Sequence, residues 1–279
     1  MLHPDDVRAD FQRIIGLPET SLDLARAALV IAAEADPSID VEQELRTIER
    51  WAGELRSRID PAWNNLQKLA RLRAYVFDDL GFRGDERDYY SPSNSLLHEV
   101  MKRRRGIPLT LSILFLELGW RIGMPLEGVG FPGHFLVRLS GEPGDLLLDP
   151  FSHACSVHEE DCRRMLLEIT GGKLEYDHKL TASVTKRTML VRLLQNLKGA
   201  YLRASDDGGA LGAVERLLLL RPGDAEETRD RGLLLFRLHR YGPALESLES
   251  YLATRSHAED RARIEEHITA LRQIVAGLN

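Results

Sequence analysis

Two titratable residues stand at opposite ends of one short apolar stretch, "GFPGHFLVRLSGEPGDLLLDPF", residues 130–151: His134 near its start and Asp149 near its end. A histidine takes or gives a proton near neutral pH, and a carboxylate beside it fixes its tautomer and steadies the imidazolium. Such a pair forms two members of a nucleophilic set whose third member attacks a carbonyl. A plainer reading stands beside it: His134 caps a strand, and Asp149 opens a turn ahead of Pro150. The stretch reads as two strands joined by the polar turn "SGEPGD". His134 and Asp149 share their midpoint with Gly141 and Glu142, inside that turn. A hairpin in about that register sets the two residues opposite each other, to within about two positions.

Other reactive groups are few. Cys155 and Cys162 are the only two cysteines, a usage that fits a reducing compartment. Their spacing matches no zinc pattern and no second ligand pair accompanies them, so both read as unpaired structural thiols and no metal or cofactor is expected. The chain has 279 residues, 43% of them hydrophobic, enough for one large domain or two to three modest ones. A net charge of −6 with acids and bases interspersed favours solubility and gives no nucleic-acid surface. No apolar run reaches the roughly 18 residues of a spanning helix, and the polar start "MLHPDDVRADFQRI" is neither a signal nor a transit peptide. The expectation is a soluble, cytoplasmic protein with no membrane contact.

The elements that would position the pair can be read in order. "SLDLARAALVIAAEADPSID" gives a helix with Ser21 as N-cap, ending before Pro37. "VEQELRTIERWAGELRSRI" repeats apolar positions at Leu45, Ile48, Trp51, Ala52 and Leu55, an amphipathic helix. "AWNNLQKLARLRAYVFDDLGF" continues with Leu66, Leu69, Leu72, Tyr75 and Val76 up to Gly81. The polar "GFRGDERDYYSPSNS" reads as a loop and a domain boundary. A helix is then expected over residues 93–105. Its basic run Lys102, Arg103, Arg104 and Arg105 complements the helix dipole, with Gly106 as the C′ residue. Pro108 falls at the first position of the next helix, where proline is tolerated. That helix is apolar on nearly every side as far as Ile122, so it should be central and buried.

After Thr185 the pattern is helical only. Tyr201, Ala210, Val214 and Leu217 recur 34 positions on as Leu235, Ala244, Leu248 and Tyr251; Lys198 answers to Gly232 and Pro222 to Ser256. A period of 34 with a small residue at a tight helix crossing is the tetratricopeptide signature. Such repeats stack helix pairs and present a concave surface for a protein or peptide partner. "AEDRARIEEHITALRQIVAGL" would cap the array, with Ile264, Ile268, Leu271 and Val275 inward.

Taken together, "NSLLHEVMKRRRGIPLTLSILFLELGWRIGMPLEGVGFPGHFLVRL" and "LLLDPF" resemble the SirB-type transglutaminase-like proteins of bacteria, and "LKGAYLR" with "ALESLESYL" resembles their tetratricopeptide tail. The resemblance covers roughly residues 20–275. It implies an α+β fold: a papain/transglutaminase-like core over residues 91–184, an N-terminal helical layer over 1–90 and tetratricopeptide-like helices over 185–279. Transglutaminase-like enzymes use a Cys–His–Asp set, with the Cys opening a buried helix whose N-terminus favours the thiolate. The resemblance places that nucleophile at Pro108, and the other two members at His134 and Asp149.

Proline cannot attack a carbonyl, and a set without its nucleophile keeps only residual catalysis. Thr110 and Ser112 lie on the same helix, Ser112 about 6 Å further along it; Cys155 would need a loop to fold back, and Cys162 lies in the helical "EEDCRRMLLEI". Two readings follow. One is a non-catalytic transglutaminase-like protein, a pseudoenzyme acting as an interaction or regulatory module through residues 185–279. With no DNA-reading motif and no basic stripe, any regulatory role would be indirect. The other is a cysteine-protease-like hydrolase or acyltransferase whose displaced nucleophile, Ser112 or Cys155, works with His134 and Asp149.

Overall fold

The computed structural model of the chain describes residues 4–141, 144–255 and 259–278. Glu142 and Ser256, which figure in the hairpin midpoint and the repeat alignment, lie outside them. The chain divides into two units, residues 1–193 and 194–279.

The first unit opens with α1 (Pro4–Gly16), α2 (Leu24–Ala35), α3 (Val41–Arg56) and α4 (Asn65–Arg73), the last running on as a π-helical turn over Ala74–Asp79. Asp23, not Ser21, caps α2: its side chain accepts from the Arg26 backbone N–H, while Ser21 ends a short 3-10 turn. A carboxylate satisfies the orphan N–H groups of a first turn at least as well as a hydroxyl, so the nearer Asp takes the role. Buried faces are as the periodicity requires, Leu45, Ile48, Trp51, Ala52 and Leu55 in α3 among them, whereas Leu66 faces outward.

The segment expected to be only a loop forms β1 (Arg83–Gly84). The helix α5 spans Leu97–Arg103, and β2 (Arg105–Gly106) runs parallel to β1. So α5 stops earlier than the sequence suggested. Arg104, at φ 60°, provides the left-handed C-cap in place of Gly106. Its guanidinium lies 4.4 Å from the Trp51 ring and 4.8 Å from Phe82, cation–π contacts that offset the strain of a non-glycine residue in that region.

Pro108 begins α6 (Pro108–Arg121), and every residue from Pro108 to Gly119 is buried. The sheet follows as β3 (Leu126–Val129), β4 (Leu136–Leu139), β5 (Leu146–Asp149) and β6 (Cys155–Val157); then come α7 (Glu159–Thr170), β7 (Ser183–Val184) and α8 (Lys186–Arg203). The strand order β6-β5-β4-β3-β7 is antiparallel throughout. One face of the sheet takes α6, itself packed on α2, α3 and α5. The other buries Val129, Phe131, Leu136 and Val157 against Cys162 and Leu166 of α7. Each such side chain contributes about 1.5–3 kcal/mol by leaving water, which makes the sheet a rigid platform for what its ends carry. The unit is an α+β fold.

The second unit continues α8 and adds α9 (Asp207–Leu220), α10 (Ala225–Arg237), α11 (Tyr241–Thr254) and α12 (Arg261–Leu278). The 34-residue period recurs in the backbone itself. Ser205 and His239 both take left-handed φ, at 58° and 59°. Asp206 N–H donates to Tyr201 C=O as Arg240 N–H does to Leu235 C=O, each at 2.9 Å. Ala210 and Ala244 are buried where helices cross, and a Cβ on Gly232 would stand 2.6 Å from Leu248 Cδ2. Ile264, Ile268 and Leu271 of α12 are buried. Among the described residues no helix is long and apolar enough to cross a membrane.

Candidate functional site

The β4–β5 hairpin pairs Val137 with Leu148 and Leu139 with Leu146. By extension this register sets His134 across from Phe151, two positions past Asp149, within the margin of the sequence estimate. His134 lies just before β4, at the end of a turn in which its N–H donates to Phe131 C=O at 3.2 Å. Gly133 shapes that turn with φ +67°, and a Cβ there would meet Ile169 Cδ1 at 2.4 Å. Asp149 ends β5 and is buried.

The two side chains meet. His134 Nδ1 stands 3.8 Å from Asp149 Oδ2, with 27% of the histidine side chain exposed and 3% of the aspartate. That distance is an electrostatic contact rather than a hydrogen bond, and Nδ1 is buried without a hydrogen-bond partner. The aspartate is better satisfied. Its Oδ1 accepts from Phe151 N–H and its Oδ2 from Ser152 Oγ, both at 2.9 Å, so it also caps the 3-10 turn over Pro150–Ser152. The plain structural reading of Asp149 and the electrostatic one therefore hold together.

The positions considered for a nucleophile differ in what surrounds them. Pro108 is buried at the first position of α6, the helix that packs against β4 and against the turn after Asp149. Thr110 Oγ1 accepts from Ile107 N–H at 3.1 Å and donates to Asn94 C=O at 2.8 Å, capping the helix. Ser112 is buried and donates to Phe135 C=O at 3.2 Å. The loop that Cys155 needs to fold back is the turn over residues 150–154, closed by left-handed φ values at His153 and Ala154, and β6 pairs Cys155 directly with Asp149. Cys155 is exposed. Cys162 is buried in α7, where burial, then Asp161 and Glu159, push its thiol up and away from the thiolate.

Three neighbours escaped the sequence reading. Ser152 is the carboxylate's hydroxyl partner. Arg192 of α8 donates to Phe131 C=O at 2.9 Å and to His134 C=O at 2.6 Å, and its guanidinium lies 5.5 Å from the Phe135 ring centre. Burial holds it below its usual value, with Tyr89 acting the other way. Tyr89 sits in the 85–95 loop with its ring 6.0 Å from Phe151. Burial raises its hydroxyl pKa, Tyr90 and Asp149 adding to the rise and Arg192 opposing it. Nothing in the pattern around Arg192, far along the chain from the hairpin, marks it. Tyr89 falls in a polar, Gly- and Pro-broken run that hides it. Among the described residues no group of His, Cys, Asp and Glu side chains is arranged to hold a metal ion.

Residues 42–195 match the transglutaminase-like superfamily, and residues 197–269 match the tetratricopeptide repeat. A UPF0162 protein of Xylella fastidiosa is 35% identical over 237 residues, 84% of each chain. A UPF0162 protein of Pseudomonas aeruginosa is 32% identical over 211 residues, 75% of this chain and 77% of that one. Human F-box only protein 21 is 39% identical over 87 residues, 31% of this chain and 14% of that protein. No solved structure matches. With its α+β core and its 34-residue helical period, the chain belongs to the transglutaminase-like superfamily, among the SirB-like UPF0162 proteins of bacteria.

Proposed function

We propose that this is a non-catalytic transglutaminase-like protein, working in the cytoplasm as an interaction or regulatory module whose helical repeats, residues 185–279, hold a protein or peptide partner. On this reading His134 and Asp149 are the remnant of a Cys–His–Asp set, each held by its own backbone neighbours rather than by a bond to the other. The observation that carries it is Pro108 at the first position of α6, the place the family resemblance gives to the nucleophile. Ser112 is committed to Phe135 C=O in the core. The match to 14% of F-box only protein 21 fits a part that also serves inside longer chains. No cofactor, metal, nucleic acid or membrane enters the reading.

One observation favours the alternative, a hydrolase or acyltransferase with a displaced nucleophile: exposed Cys155 is the strand partner of Asp149. A direct assay separates the two. The full chain is incubated with p-nitrophenyl acetate and with an acylating probe that takes thiols and hydroxyls, beside its His134→Ala variant. The non-catalytic reading expects the same background from both. Turnover or labelling by the unmodified chain that His134→Ala abolishes would establish an enzyme.

A further inference from the structure

The first unit holds a cation that the remnant set does not account for. Arg192 is half-buried, and its only hydrogen bonds among the described residues go to two backbone carbonyls, Phe131 and His134. No carboxylate among the described residues comes within ion-pair distance of it. A guanidinium has five N–H donors; two are used here, and three are left beside the His134 turn. Taking such a charge out of water without an acid is costly, and burial indeed disfavours its charged form. Arginine nonetheless stays protonated, so the site carries a standing positive charge.

The groups around it are also unfilled. Tyr89 stands beside the turn that follows Asp149, its ring 6.0 Å from Phe151. Among the described residues its hydroxyl has no hydrogen-bond partner. His134 is part-exposed, and its Nδ1 also lacks a partner. Two aliphatic and aromatic side chains flank the cluster: Ile169, 47% exposed against the Gly133 turn, and Tyr90, 60% exposed and 5.2 Å ring to ring from Tyr89. Phe131 and His134 hold the guanidinium plane through their carbonyls, so its remaining edge has a fixed direction. A planar fork of N–H donors matches a carboxylate, whose two oxygens it can take together.

We propose that Arg192, with Tyr89 and His134, forms a recognition site for the carboxylate of a peptide, the neighbouring apolar side chain resting on Ile169 and Tyr90. The site lies in the first unit, with Arg192 near the start of α8, and it stands whether or not the His134–Asp149 pair reacts. Asp149 brings an opposing charge to the cluster, which its hydrogen bonds from Phe151 N–H and Ser152 Oγ partly offset, so Arg192 has to supply the net attraction.

The test titrates the 15N-labelled full chain with N-acetyl-alanyl-phenylalanine as free acid, with its C-terminal amide, and with N-acetyl-aspartyl-phenylalanine amide, following backbone shifts and the Arg192 side-chain Nε–H. The expected result is saturable binding of the free acid, weakened about tenfold or more by amidation. Binding of the aspartyl amide in place of the free acid would assign the carboxylate to a side chain rather than a chain end and would still support the site. Arg192→Gln should abolish binding, Arg192→Lys keep a weaker part of it because the fork is lost, and Tyr89→Phe weaken it a few-fold. Equal binding of acid and amide, or no saturable shift by any of the three up to about 10 mM, would overturn the proposal. The acid–amide comparison uses the unmodified chain, so it decides even if an Arg192 variant fails to fold. Acid-selective binding accompanied by His134-dependent peptide cleavage would leave the carboxylate site standing and overturn only the non-catalytic reading.

Discussion

His134 Nδ1 and Asp149 Oδ2 stand 3.8 Å apart, while the same carboxylate oxygen already accepts from Ser152 Oγ at 2.9 Å. The aspartate is therefore held by its own turn, and the histidine is held by the sheet and by Arg192 on its carbonyl. Neither depends on the other for its place. The place of each residue therefore needs no third member, because the backbone hydrogen bonds that position the pair belong to the fold.

The loop that sets Tyr89 beside Phe151 hangs on Asn94. Asn94 is buried; its Nδ2 donates to Asp88 C=O at 2.7 Å, its Oδ1 accepts from Arg103 at 2.8 Å, and its own C=O accepts from Thr110. Asn94→Ala should remove both side-chain hydrogen bonds and leave an Arg103 N–H without its acceptor, while Asp88 C=O keeps Ser91 N–H, costing about 1–3 kcal/mol in denaturant unfolding. Limited proteolysis should then cut faster within residues 85–95. Unchanged stability and cleavage would show that the loop is held by something else.

His98 gives the first unit a pH dependence. It is buried, and burial lowers its pKa from 6.5; Lys102 and Arg103 act the same way, and Glu99 and Asp36 oppose them. Below about pH 6.5 the unfolded chain takes up a proton that the folded chain refuses, so stability falls as pH drops from there until the folded pKa is passed. Well above about pH 6.5, where both states are neutral, the group contributes no slope. Chemical denaturation of wild type and His98→Gln between pH 7.5 and 5 should show a flatter profile for the variant, whatever its absolute stability. Parallel profiles would refute the assignment.

In the second unit, Ala244 sits at a buried crossing, and Gly232 on the neighbouring helix lies against Leu248 and Ser247. Ala244→Leu should overpack that crossing and cost about 1–3 kcal/mol, seen as a lower midpoint of thermal unfolding. An unchanged midpoint would argue against close repeat packing.

Much of this architecture was legible because it follows from periodicity. The all-round apolar run of α6, the amphipathic face of α3 and the 34-residue helical period each leave a pattern that burial enforces. The hairpin arithmetic was close because an antiparallel register ties two positions to one turn. What escaped is short or distant. β1 and β2 have two residues each, too few to show alternation, and Arg104 takes a conformation more usual for glycine because two aromatic rings reward it. The sequence asks for a loop before Cys155 but not for its tight closure, since two successive left-handed residues at 153 and 154 are not signalled by His and Ala. Arg192 joins the site from α8 only through the tertiary fold, so no local pattern could announce it.

The proposed remnant frame can be tested by supplying the group that the proposal says it lacks. In a Cys155→Ser background, Pro108→Cys puts a thiol at the start of α6 and gives up a residue whose fixed φ suits that position, a loss of about 0.4–1 kcal/mol. The measurement is the rate of alkylation by iodoacetamide against pH, with and without His134→Ala. A helix N-terminus and a neighbouring imidazolium both favour thiolate. The account predicts reactivity that persists well below the ordinary thiol range of about 8.5 and shifts up toward it when His134 is removed. An introduced thiol that titrates near that ordinary value and ignores His134 would contradict it, because Pro108 would then not occupy the nucleophile's place before the His134–Asp149 pair.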